Sequence, residues 1–218
     1  MNPFRAVLSR VGGLFKGPEE LDLTSGSIGW PLFFLSLPIV FTNLFQVAYN
    51  LADTFWLGQL STEALSAITF GFPMVFLLIS LGMGVSVAGS VLVAQYVGAE
   101  DRAAAEFAAS QTVTYAVGLS ALLGFVGYLY VGDVLAAVGA TGEVLDLATA
   151  YMEVIALGLP LMFGFFVFIA LMRGAGDTVT PMVVMFGTVV LNIVLDPFLI
   201  FGWGPFPALG VEGAAIAT

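Results

Sequence analysis

The stretch "WPLFFLSLPIVFTNLFQVAYNLADTFWLG", residues 30–58, is long and apolar enough to cross a membrane as one helix, and its single charged residue is Asp53. About 20 apolar residues are enough to span a hydrocarbon core of ~30 Å. An ionised carboxylate is costly in that environment, so an acid inside a span indicates a functional site. The stretch therefore predicts a membrane protein with a role for its intramembrane acid.

The composition of the whole chain agrees with this prediction. Of the 218 residues, 60% are hydrophobic and 9% are charged, whereas soluble domains contain about 25% charged residues. The chain has no Cys and no His, so we expect no disulfide, no thiol chemistry, no cofactor and no resident metal. The net charge of −10 argues against a nucleic-acid partner. We predict an all-α, polytopic membrane bundle, and not an enzyme.

Hydrophobic runs divide the chain into an N-terminal segment and a membrane domain. Residues 1–27 are predicted to be cytoplasmic: a short amphipathic helix or a disordered tail, followed by a polar linker. Residues 28–218 form the membrane domain. Five complete spans are predicted in it, at residues 30–58, 65–96, 104–131, 145–172 and 180–202. A sixth begins near Ala208 and stops at Thr218 after a few turns, so we expect a fragment of a longer transporter.

The basic residues predict the orientation in the membrane. All five fall on one side of the predicted spans, namely Arg5, Arg10, Lys16, Arg102 and Arg173. The opposite connections, near residues 59–63, 132–146 and 203–212, contain no Lys or Arg. By the positive-inside rule, the N-terminus is expected in the cytoplasm. We expect the chain to lie in the plasma membrane.

Turn chemistry suggests where individual helices begin and end. Gly98 can end the second span, and Asp101 can cap the third. Thr180 can cap the fifth span, with Pro181 at its first position. Three prolines lie inside spans, where each can kink its helix: Pro38, Pro73 and Pro160.

Polar side chains recur along one face of two spans. In the first span they share an arc of roughly 80° at 100° per residue, and in the fifth they lie four residues apart. Such faces should line the protein interior or a water-filled cavity. The residues are Asn43, Gln46, Asn50 and Asp53 in the first span, and Asn192 and Asp196 in the fifth.

The two acids are predicted to lie at similar depth. Asp196 is roughly 22 Å beyond Pro181, and Asp53 is roughly 10 Å before Leu60, by the helical rise. Two carboxylates in one low-dielectric site cannot both ionise cheaply, so the pair is suited to take up and release a proton. Alternatively the pair binds Na⁺ together with Asn192 and nearby carbonyl oxygens. The plainer alternative is that each acid only hydrogen-bonds a neighbouring helix.

Four motifs occur in an order and at a spacing typical of one transporter family. They are "PIVFTNLFQVAYNLADTFWLG", "AQYVGAEDRAAAEFA", "LMRGAGDTVTPM" and "LNIVLDPFLIFGWGPFPALGVEGAAIAT". The chain resembles the multidrug and toxic compound extrusion (MATE) transporters over nearly everything after about Trp30. The resemblance implies twelve helices in two six-helix lobes that work by alternating access, with this chain as the N-terminal lobe cut at the start of helix six.

The resemblance also implies roles for particular residues. Asp53 occupies the position of the helix-one coupling acid. Asn192 and Asp196 match the pair found in the prokaryotic DNA-damage-inducible branch, and Thr218 is the best match to a helix-six threonine of the same network. Gln46 and Asn50, with Asn43, would line the substrate cavity. Members export amphipathic, often cationic drugs in exchange for H⁺ or Na⁺; the expected partners are those drugs, membrane lipid and a C-terminal lobe.

Two rival functions fit parts of the sequence. Gly174-Ala175-Gly176-Asp177 resembles the G-x-G-D motif of intramembrane aspartyl proteases, but Asp177 is expected on the order of 20 Å from Asp53 by the helical rise. A lipid or oligosaccharide-lipid flippase of the same superfamily usually lines its cavity with basic residues. The spans here contain acids instead, which favours cationic cargo.

Overall fold

The chain is all-helical over residues 29–218, the part described by this computed structural model. Its helices are α1 (Gly29–Leu60), α2 (Thr62–Gly98), α3 (Arg102–Ala137), α4 (Gly142–Gly174), α5 (Val179–Phe201) and α6 (Val211–Ala217). The first five are long and apolar enough to cross a membrane, which confirms the five predicted spans. The first four helices extend beyond their predicted ends, most of all α3, because a helix continues past the hydrocarbon core, whereas α5 ends one residue before its predicted end. The predictions for residues 1–27 lie outside the described range.

The turn between α2 and α3 agrees with the sequence prediction. α2 ends at Gly98, and the Asp101 carboxylate accepts a hydrogen bond from the Ala104 backbone N–H at 3.0 Å. This bond satisfies one of the amide groups that a helix leaves unpaired at its start. The left-handed residue of the turn is Glu100, with φ 58°, and not the glycine.

The prediction that Thr180 caps α5 is wrong. The Asp177 carboxylate accepts hydrogen bonds from the backbone N–H groups of Val179 (3.0 Å) and Thr180 (2.9 Å). The Thr180 hydroxyl also donates to Asp177, at 2.5 Å. A carboxylate is the stronger acceptor and precedes the threonine, so α5 starts at Val179, two residues before the predicted first position, and Pro181 falls at its third position.

Two groups of helices form the bundle. α2 and α3 pack along α4, while α1 packs mainly along α5. The short α6 contacts both α4 and α5 and so joins the two groups. Small residues allow the closest approaches: a side chain at Gly124 would collide with the Ala156 carbonyl oxygen. Close packing at small residues is typical of membrane helices.

The connection from α5 to α6 folds back against the end of α5. The backbone N–H of Leu209 donates to the Leu199 carbonyl (2.9 Å), and that of Gly210 donates to the Ile200 carbonyl (3.1 Å). These bonds satisfy carbonyl groups at the C-terminal end of α5. They also direct α6 back into the bundle, so that its last residues approach α1 and α5.

Candidate functional site

Three helices bring four of the predicted polar residues together. Thr218 Oγ1, at the end of α6, lies 3.4 Å from Asp53 Oδ2 on α1. On α5, Asn192 Nδ2 donates to Asp196 Oδ1 at 3.2 Å and to the Ala217 carbonyl at 3.4 Å. The amide of Asn192 therefore links α5 to α6, and Thr218 links α6 to α1. We call Asp53, Asn192, Asp196 and Thr218 the acid cluster.

The two carboxyl groups of the acid cluster lie close enough to interact electrostatically. Asp196 is fully buried and Asn192 is 1% exposed, whereas Asp53 is partly exposed. Two carboxylates this close repel each other when both are ionised, and a bound cation or a shared proton removes the repulsion. The two acids thus lie at the same level of the bundle, which agrees with the heights expected from the helical rise.

Several oxygen atoms of this region are buried without a hydrogen-bond partner among residues 29–218. They are Asp53 Oδ1, Asp196 Oδ2, Asn192 Oδ1 and the Tyr49 hydroxyl. Buried acceptors without donors are uncommon and costly. A proton can bridge two such oxygens, and a hard monovalent cation can be surrounded by several of them. The described residues contain no group of three or more His, Cys, Asp and Glu that could hold a metal, so the donor set suits H⁺ or Na⁺ better than a transition metal.

Two tyrosines near the acid cluster were not predicted from the sequence. Tyr49 lies one helical turn before Asp53 on α1, and Tyr151 is a buried residue of α4. Both lie close enough to Asp53 to interact with it electrostatically. The i, i+4 spacing from Asp53 could have indicated Tyr49. Tyr151 comes from another helix, and no spacing in the sequence signals it.

The residues predicted to line a cavity lie on α1 outside the acid cluster. Asn43, Gln46 and Asn50 are exposed along α1, and the described structure contains no hydrogen bond from their side chains to another helix. Their exposure leaves them free to meet a ligand, and their assignment to a substrate cavity stays a prediction.

The two basic residues of the described range lie far from the acids. Arg102 begins α3 and Arg173 lies at the end of α4. Arg173 follows Tyr151 by 22 residues, about 33 Å along the axis at 1.5 Å per residue. Neither arginine neutralises the acid cluster, so its charge can be balanced by a mobile cation.

The geometry does not support an aspartyl protease. Asp177 caps the start of α5 through two backbone N–H groups. It precedes Asp196 by 19 residues on essentially the same helix, about 28 Å at the helical rise. Asp177 therefore cannot share a catalytic water with Asp196.

Five helices long and apolar enough to cross a membrane, with two acids brought together between them, define a polytopic membrane protein. The comparisons with known proteins agree. The MatE family model matches residues 38–198, and the chain belongs to this family, whose members are transporters and not enzymes.

Named relatives and a solved structure support the assignment. The FAD transporter of Shewanella oneidensis is 35% identical over 200 residues, covering 92% of this chain and 44% of the relative. The multidrug export protein MepA of Staphylococcus aureus is 31% identical over 184 residues, which cover 84% of this chain and 40% of the relative. The structure of a MOP superfamily transporter from Pyrococcus furiosus aligns with TM-score 0.78 at 33% identity, and the alignment covers 84% of this chain and 40% of that protein. The chain therefore spans well under half the length of these proteins.

Proposed function

We propose that this chain is the ion-coupling lobe of a secondary active exporter, which moves amphipathic, often cationic compounds outward in exchange for H⁺ or Na⁺. The observation that carries the proposal is the meeting of Asp53 and Asp196 between the predicted spans, with unpartnered oxygens and, among residues 29–218, no basic residue beside them. The printed name of the MepA relative, a multidrug export protein, supports the cargo class.

In the proposed mechanism, ion binding changes how α1 packs. An empty acid cluster carries repelling negative charges, which favour separation of α1 from α5 and α6. A bound H⁺ or Na⁺ removes that repulsion, so the outer half of α1 can close on the other two helices and narrow the cavity along Asn50 and Gln46. α1 is the least buried of the five spans, so its movement disrupts the least packing. An ion that binds one arrangement better than the other shifts the equilibrium between them.

Both coupling ions fit the donor set. Protonation needs only the two carboxyl groups, whereas Na⁺ would use Asp53, Asn192 and Asp196 with the Ala217 carbonyl nearby. H⁺ coupling is distinguished from Na⁺ coupling by two transport measurements. One uses a pH gradient without Na⁺, and the other uses a Na⁺ gradient at constant pH.

The nature of the cargo follows from the charges in this lobe. Acidic residues in the membrane, with neither arginine of the described part of the chain beside them, favour a cationic compound over the anionic head group that a lipid or oligosaccharide-lipid flippase would carry. One relative is named for FAD, whose phosphates are anionic, so FAD belongs in the substrate panel as a direct alternative.

The proposed setting is the plasma membrane, with the N-terminus in the cytoplasm and lipid around the bundle. Large apolar side chains point outwards from several helices, for example Leu161 at 82% exposure and Phe125 at 66%. Surfaces of this kind meet lipid or another protein surface. Since the matched relatives are more than twice as long, we propose a second lobe as the partner that faces α1 across the cavity.

The test is drug efflux by the full-length protein carrying Asp53→Asn. We expect loss of ion-driven efflux of a cationic dye and loss of drug resistance in cells, at normal protein levels in the membrane. Glu153→Gln is a matched control, since it removes an acid from α4 outside the acid cluster. Wild-type coupled efflux by Asp53→Asn would refute the proposal, and efflux of FAD but not of the dye would redirect the cargo assignment.

A further inference from the structure

Aromatic side chains gather where α1 and α5 end, beyond the acid cluster. The ring centroids of Trp56 lie 6.1 Å from Phe201 and 6.2 Å from Trp203. Phe198 lies 6.3 Å from Trp203 and 6.1 Å from Phe206. Most of these pairs meet edge to face, the arrangement that aromatic rings favour. We call Trp56, Phe198, Phe201, Trp203 and Phe206 the outer aromatic cluster.

The outer aromatic cluster is placed directly over the acids. Trp56 follows Asp53 by three residues, so it lies one helical turn closer to the end of α1. Leu57 on α1 and Ile200 on α5 follow the two acids by four residues each; both are 1% exposed and belong to one apolar core, against which Trp56 and Phe201 pack. An apolar layer therefore separates the carboxyl groups from the end of the lobe at which α1 and α5 terminate.

Backbone hydrogen bonds hold this layer in place. Trp203 and Phe206 belong to the connection between α5 and α6, and that connection is tied to α5 through the Leu199 and Ile200 carbonyls. The rings of Trp203 and Phe206 therefore belong to a segment that is hydrogen-bonded to α5.

The opposite side of the acid cluster is polar and more open. Asp53 is partly exposed, and Asn50 and Gln46 continue the exposed face of α1 away from the outer aromatic cluster. The unpartnered Tyr49 hydroxyl lies in the same direction along the helix. Water and ions can approach the carboxyl groups along this face, whereas the apolar layer opposes their approach from the helix ends.

We propose that the outer aromatic cluster seals one end of the ion site, so that ions reach Asp53 and Asp196 only along the exposed face of α1. Trp56 is the positioning residue that closes the seal by joining α1 to Phe201 and Trp203. This inference rests on the proposed function of the acids. As a consequence, ion movement is tightly coupled to cargo movement. An ion can cross the lobe through the acid cluster only during the conformational change that also moves cargo.

An aromatic belt at the membrane interface is the competing explanation, because Trp is enriched there in many membrane proteins. A belt residue anchors the helix and projects into lipid. Trp56 instead is partly buried and packs on the core beside Leu57 and Ile200. The two explanations differ in their effect on ion leakage, since loss of an anchor opens no path to the acids.

The experiment measures ion leakage through the full-length protein in liposomes without drug, using a trapped pH dye for H⁺ and radioactive Na⁺ for sodium. We expect Trp56→Ala to raise the leak of the coupling ion several-fold and Trp56→Phe to stay close to wild type. Phe72→Ala is the matched control, because Phe72 is an exposed ring stacked on Phe76 outside the outer aromatic cluster. If Trp56→Ala does not fold, Trp203→Ala serves instead, since Trp203 is 52% exposed.

A second background decides whether leaked ions pass through the acids. With both Asp53→Asn and Asp196→Asn present, Trp56→Ala should no longer raise the leak. A leak that persists there would indicate a general packing defect and overturn the seal. So would an unchanged leak in Trp56→Ala when Asp53→Asn alone abolishes exchange, a result that would leave the proposed function of the acids intact.

Discussion

The Thr218 hydroxyl lies 3.4 Å from the Asp53 carboxylate, although 165 residues separate them in the chain. The same hydroxyl lies 2.9 Å from the Ala214 carbonyl. A hydroxyl has one proton to donate. When Thr218 donates to Ala214, its oxygen can accept a hydrogen bond from Asp53 if Asp53 is protonated; when Asp53 is ionised, the hydroxyl can turn to donate to it. Thr218 can therefore hydrogen-bond Asp53 in both charge states.

The threonine should tune ion binding by means of its hydroxyl. Thr218→Val keeps the shape and removes the oxygen, at a cost of about 1 kcal/mol per hydrogen bond, equivalent to about fivefold weaker apparent ion affinity in transport assays. Thr218→Ser keeps the hydroxyl and should remain near wild type. Equal affinities for Val and Ser would show that the hydroxyl takes no part in binding.

Asp177 should contribute to stability and not to chemistry. Asp177→Ala removes the acceptor for two backbone N–H groups at the start of α5, and loss of such a cap costs about 1 kcal/mol. We expect a lower midpoint of thermal unfolding in detergent, by about 2–4 °C, with ion-driven transport retained. Thr180→Val removes only the side-chain bond to Asp177 and should have a smaller effect. A larger loss in Thr180→Val would restore the threonine as the principal cap.

Gly124 should be intolerant of a side chain because of the neighbouring helix. In Gly124→Ala the new methyl group would collide with the Ala156 backbone carbonyl, and overpacking of this kind costs about 1–3 kcal/mol. Gly118→Ala on the same helix is the control, because a methyl group there meets nothing within 4 Å. Thermal unfolding should show a clear loss for Gly124→Ala and none for Gly118→Ala. Equal stability of the two variants would contradict the close contact of α3 with α4.

The fold was predictable because it depends mainly on one physical effect, the burial of apolar surface in lipid. Long apolar runs separated by short polar turns left little freedom in the number and bounds of the spans. Asp101 was predictable as a cap because capping is local. The cap of α5 was missed because Asp177 and Thr180 can each start a helix, and the sequence does not show which of them does.

The candidate site was predictable only in part. Helical rise along α1 and α5 placed Asp53 and Asp196 at one depth, since a straight helix fixes height. It could not show that α1 packs along α5, nor that the folded-back connection brings Thr218 to Asp53. Tyr151 was not predicted because it lies on α4, and the packing that brings it near the acids cannot be read from the periodicity of the sequence.

The most direct test of the central claim, that Asp53 and Asp196 form one shared ion site, is a double-mutant comparison of ion-driven drug efflux. The full-length protein is reconstituted as wild type, Asp53→Asn, Asp196→Asn and the double variant, and initial rates are measured under one imposed ion gradient. Residues that act as a unit give strongly non-additive effects, so each single variant should lose nearly as much ion-driven efflux as the double. Mild single effects that multiply in the double variant, or full coupling in either single variant, would contradict the claim.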